Sequence, residues 1–106
     1  MILRKLSGEI ISNPSEEDVR SVFADVIAHS YDEENGATSI ELKRDDGWIL
    51  TAYGYDLVIF EHKDGYNNIP VHISNFNKKN VINLLIRFLS QKDELSDIDW
   101  QIGYGK

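Results

Sequence analysis

Two stretches of this chain carry apolar residues at helical spacing, and what lies between them reads as strands and turns. Val19, Val22, Phe23, Val26 and Ile27 fall at i, i+3, i+4, i+7 and i+8. Val81, Leu84, Leu85, Phe88 and Leu89 repeat those intervals, with Ile82 and Ile86 widening the stripe. Each pattern predicts an amphipathic helix with one face to bury. Two such helices need a surface to cover, and the intervening residues supply one. Residues 38–44 put Ile40 and Leu42 on one side and Ser39, Glu41 and Lys43 on the other. Asp45-Asp46-Gly47 is a hairpin signal, with residues 48–53 as the return strand. Gly54 breaks the run before a strand over 57–62, and Lys63-Asp64-Gly65 turns the chain towards residues 69–73. Pro70 has no ladder donor, so this last strand is expected at an edge.

The ends complete the pattern. Residues 2–6 and 9–12 flank Ser7-Gly8 as an expected hairpin, and residues 99–102 form a short final strand with Trp100 and Ile102 on one face. The first helix is expected over 14–29, with Asn13 as cap, Pro14 in the first helical position and Glu16 completing a capping box. Asn77 caps the second. The expected order is β-β-α-β-β-β-β-α-β: an α+β fold, a mainly antiparallel sheet with two amphipathic helices packed on one face. At 106 residues without repeat or linker, a single domain over 1–106 is expected.

Several kinds of chemistry are excluded or disfavoured. The chain has no cysteine, which removes disulfide scaffolds, thiol nucleophiles, thiolate zinc sites and iron–sulfur clusters. A net charge of −7 argues against nucleic acid as a partner. No Gly-x-Ser-x-Gly turn singles out a nucleophile, and Gly103-Tyr104-Gly105-Lys106 lacks the gap and the Ser/Thr of a phosphate loop. His62 and His72 flank one predicted turn with shared parity, so a hairpin could set both on one face beside Glu61 or Asp64; their spacing favours ordinary strand histidines over a metal site. No catalytic residue, metal or cofactor is expected. The basic residues near Met1 follow the apolar ones and precede no apolar core, so no secretory signal is expected. The apolar runs at 57–60 and 81–89 fall short of the ~20 residues of a membrane span. The cytoplasm is the expected compartment, with no membrane partner.

What remains is surface. Glu16-Glu17-Asp18 suits the first turn of a helix. Asp32-Glu33-Glu34 and Asp45-Asp46 lie in expected loops without that local reason, and negative patches of this kind steer a cationic partner. The two clusters bracket one strand and so belong to opposite ends of the sheet. The first end also receives the Tyr53-Gly54-Tyr55-Asp56 turn. Tyrosine supplies rigid, half-polar contact area. The expected partner-binding set is therefore Asp32, Glu33, Glu34, Tyr53, Tyr55 and Asp56.

Four features of the string resemble the small immunity proteins of bacterial polymorphic-toxin systems, including those of contact-dependent growth inhibition. These are an opening strand pair running into Asn13-Pro14-Ser15, the strand Ser39-Ile40-Glu41-Leu42-Lys43, the Gly54 turn before Leu57-Val58-Ile59-Phe60, and the late helix followed by Asp99-Trp100. Tyr53-Gly54-Tyr55 stands where such relatives often carry a glycine pair. The resemblance implies a cytoplasmic protein, not an enzyme, that binds and neutralises one cognate toxin domain. Many such toxins are nucleases, basic because they hold phosphates. The family shares no universal binding residues, so none is carried over. A DNA-mimicking inhibitor of a nucleic-acid enzyme and a small-molecule-binding α+β domain are the alternative readings.

Overall fold

The computed structural model describes residues 1–5, 8–28, 39–53, 57–65, 70–74, 77–90 and 95–104. Among them are seven strands: β1 (Ile2–Arg4), β2 (Ile10–Ser12), β3 (Ile40–Lys43), β4 (Trp48–Tyr53), β5 (Leu57–His62), β6 (Val71–Ser74) and β7 (Gln101–Ile102). Helix α1 (Glu16–Ala28) lies between β2 and β3, and α2 (Lys78–Phe88) between β6 and β7. The strands form one sheet in the order β2-β1-β3-β4-β5-β6-β7. All neighbours are antiparallel. This is the expected α+β order.

Register turns the alternation into two faces. Ile11, Leu3, Leu42, Leu50, Phe60 and Val71 pair in succession from β2 to β6, and Ile40, Ala52, Val58 and Ile73 make a second row beside them. Both stripes close over these rows: Val19, Val22, Phe23 and Val26 from α1, and Val81, Leu84, Leu85 and Phe88 from α2. Each fully buried side chain of this kind contributes about 1.5–3 kcal/mol relative to exposure. Phe60 is the hub. Trp48 stacks on it at 4.8 Å, Trp100 at 5.5 Å, and Phe88 meets it edge-on at 6.1 Å. Buried Arg44 donates from Nε to the Phe88 carbonyl at 3.1 Å, and its guanidinium lies 4.0 Å above the Phe88 ring. A cation thus answers a carbonyl at the C-terminal end of α2.

Two local expectations are corrected. The cap of α1 is Ser15, two residues after Asn13: Ser15 Oγ accepts from the Asp18 N–H at 3.1 Å, and Asp18 Oδ2 accepts from the Ser15 N–H at 2.9 Å. This reciprocal box leaves Asn13 to make the turn at φ 51°, with its N–H donated to the Met1 carbonyl. The second correction concerns β6, which is not an edge. β7 pairs with it through Val71 and His72. Pro70 stands just outside the strand and uses only its carbonyl, which accepts from the Gly103 N–H at 2.8 Å. The missing donor is never needed. The expected cap Asn77 does hold α2, its side chain accepting from the Asn80 N–H at 2.8 Å. Among the described residues, no helix is long and apolar enough to cross a membrane.

Candidate functional site

The face of the sheet opposite the helices is the natural place to look for a partner surface. Pairing lays Arg4, Glu41, Thr51, Ile59, His72 and Gln101 across it from β1 to β7. A second row runs Ile2, Lys43, Ile49 and Glu61. Tyr53, Leu57 and Ser74 form a third at one end. Among the described residues no helix lies above this face, yet its middle is buried: Thr51 is 7% exposed and Ile59 6%. Around that centre stand half-buried Tyr53, Glu41 and Glu61, with exposed Tyr104 following β7. His72 adds a ring whose Nδ1 lies 3.0 Å from the Gly103 carbonyl, fixing the chain after β7 against β6.

Electrostatics ties the four outer groups together. Burial holds the Glu61 carboxyl above its ordinary pKa; the nearby charge of Glu41 adds to the rise and the Tyr104 hydroxyl partly offsets it. Burial also raises Tyr53, followed by the charges of Glu61 and Glu41 and the proximity of Tyr104. Two carboxylates and two phenols therefore lie within electrostatic reach of one another on one face of the sheet. Arg4 and Lys43 lie on the β1–β3 side of the same face, so its charge is divided rather than uniformly negative. Such a surface accepts hydrogen bonds and cations near Glu61 and offers tyrosine rings as anchors.

Of the six residues expected to bind a partner, the structure describes Tyr53. Asp32, Glu33, Glu34, Tyr55 and Asp56 lie outside the described residues. Register does fix the end to which their segments connect: Ile40 pairs with Ala52, and Tyr53 with Leu57, so the start of β3 and the β4–β5 connection share one end of the sheet. The opposite end differs from the sequence reading. Asp45 and Asp46 have local structural partners after all: the Met1 amino group lies 2.8 Å from Asp45 Oδ1, and Asp46 Oδ1 accepts from the Trp48 N–H at 3.3 Å.

His62 and His72 do not share a face. Ile59 pairs with His72 and Phe60 with Val71, so partner numbers sum to an odd value and equal parity means opposite sides. His62 faces the helix side, edge-on to Trp48 at 4.9 Å, while His72 faces away. Among the described residues, no group of three His, Asp or Glu side chains is placed to hold a metal ion. Sequence reasoning missed that Glu61 and Tyr104 act electrostatically on Tyr53. The polar side of residues 38–44 pointed to Glu41, but Glu61 and Tyr104 meet it only through the pairing of β4 to β7. No family model, no curated protein and no solved structure matches this chain.

Proposed function

We propose that this protein is a binding module that neutralises a cognate bacterial toxin domain, a basic one of the nuclease class, by occupying it rather than by catalysis. Its binding surface is the Tyr53 end of the helix-free sheet face, completed by Asp32, Glu33, Glu34, Tyr55 and Asp56. The observation that supports this reading best is the face itself: an antiparallel platform whose buried centre is bordered by two tyrosines and two carboxylates. A footprint of ~800 Å² per partner spans several strands of such a sheet. A net charge of −7 speeds encounter with a cationic partner, while a few tyrosine anchors set the dissociation rate. The proposed compartment is the cytoplasm, where the toxin would have to be blocked.

The test is a pull-down with any toxin domain found encoded beside this chain, together with protection of cells that express that toxin. Tyr55→Ala with Asp56→Lys should weaken capture and protection far more than Asp45→Lys with Asp46→Lys. Charge reversal at Asp56 should also slow association most at low salt. Dominance of the Asp45-Asp46 pair would move the surface to the other end of the sheet. Failure of the wild-type chain to bind or protect would end the toxin reading.

A further inference from the structure

On the far side of the molecule, α1 and α2 leave an open groove of about 440 Å³ between them. Its floor is apolar: Phe23 and Ala24 from α1, and Ile82 from α2. Its rim is cationic, with Arg20 on the α1 wall and Lys78 and Lys79 on the α2 wall. Among the described residues no acidic side chain lines it, although the chain as a whole is strongly acidic. Arg20 donates through Nε and Nη2 to Glu16 Oε1, one turn earlier on its own helix. Lys78 and Lys79 are exposed and have no ion pair among the described residues.

We propose that this groove docks an acidic amphipathic segment of a partner protein, with an apolar side chain seated between Phe23 and Ile82 and carboxylates on both sides of it. The placement of the cations chooses the occupant. Lys78 and Lys79 on one wall and Arg20, held by Glu16, on the other flank the apolar floor from two sides, which matches a peptide ridge with flanking acids and not an acyl chain with a single headgroup. The floor supplies the apolar contact that a purely ionic surface lacks, in the manner of an amphipathic helix laid into a groove. Charge opposite to that of the sheet's tyrosine end gives the molecule two chemically distinct sides. The groove therefore stands independently of the toxin reading.

The experiment uses the full chain and a fluorescein-labelled helical peptide carrying two leucines one turn apart, flanked by glutamates. Anisotropy at low salt should show saturable binding, and amide shifts on titration should centre on residues 20–24 and 78–82. Lys78→Glu with Lys79→Glu should weaken binding at least about tenfold. Ala24→Trp fills the groove without changing charge and should weaken it to a similar degree, with an unchanged melting temperature because Ala24 is exposed. Absence of saturable binding overturns the proposal. So does equal binding of the peptide with lysines in place of its glutamates, or indifference to Ala24→Trp, which would reduce the effect to general charge attraction. Preferential binding to phosphatidylglycerol vesicles, lost in the same variants, would replace the peptide by a membrane surface and likewise overturn it.

Discussion

Gly47 closes the β3–β4 hairpin at φ +97°, and a Cβ placed there would lie 2.9 Å from His62 Nε2 and 3.0 Å from Lys63 Cε. The lysine end can swing away; the imidazole cannot. His62 is 8% exposed, its Nδ1 accepts from the Asp64 N–H at 3.1 Å, and its edge is set against Trp48. Because Nδ1 accepts, Nε2 carries the proton and donates to the Asp46 carbonyl at 2.8 Å. In Gly47→Ala the left-handed backbone costs about 1–2 kcal/mol, and pushing the ring aside forfeits a hydrogen bond of about 0.5–1.5 kcal/mol. A loss of about 2–3 kcal/mol lowers the melting temperature of a domain this size by about 10–20 °C. Thermal and urea unfolding followed by circular dichroism should show that fall, with an unchanged urea slope. The clash is also separable from the backbone strain. In the Gly47→Ala, His62→Ala double variant the obstruction is gone, so the pair should lose about 1 kcal/mol less than the two single losses combined. A single variant that melts within two or three degrees (about 0.5 kcal/mol) of wild type would refute the reasoning.

Two further outcomes follow from the same structure. Leu85→Asp, and equally Val22→Asp, sets an unpaired charge among side chains that are 0% and 5% exposed, at a cost of several kcal/mol against a total stability of ~5–15 kcal/mol; neither variant should give a cooperative melt near that of wild type. Glu61 titrates with the opposite sign to a stabilising carboxylate. Its pKa is raised in the fold above the ordinary 4.5, so the folded chain holds this proton more tightly, and stability declines as pH rises through 4.5 to the raised value. Glu61→Gln should therefore melt higher than wild type at neutral pH, with the advantage disappearing at acid pH. An advantage that persists undiminished in acid would remove Glu41 and burial as its cause.

Both helices were legible in the sequence because a 3.6-residue stripe cannot be mistaken for a strand, and the hairpin at Asp45-Asp46-Gly47 because its turn chemistry is local. The start of α1 was harder. Asn13 and Ser15 are both cap residues, and the choice depends on which acid three residues on can bond back; Asp18 does so to Ser15. The edge position inferred from Pro70 failed by one residue, since a proline just before a strand leaves every donor in it intact. The histidine pairing could not be read from either strand alone, because facing depends on the sum of partner numbers and not on shared parity. The candidate site was legible only in part for the same reason. Strand ends gave the position of Tyr53, but Glu41, Glu61 and Tyr104, which act on it electrostatically, come from three different parts of the chain and share its face only when β3 through β7 are in register.

The sheet order also separates the order of synthesis from the order of assembly. β3, β4, β5 and β6 pair as a meander, each with its successor, whereas Leu3 must wait for Leu42 before β1 has its second neighbour. As the chain leaves the ribosome, β1, β2 and α1 emerge before β3 to β6, and the stripe of Val19, Val22, Phe23 and Val26 then lacks most of the sheet that it covers in the fold. In the finished fold that stripe is covered by rows that β3 to β6, the later strands, largely supply. Nascent chains halted before Leu42 therefore expose the apolar face of a helix whose destination has not been made.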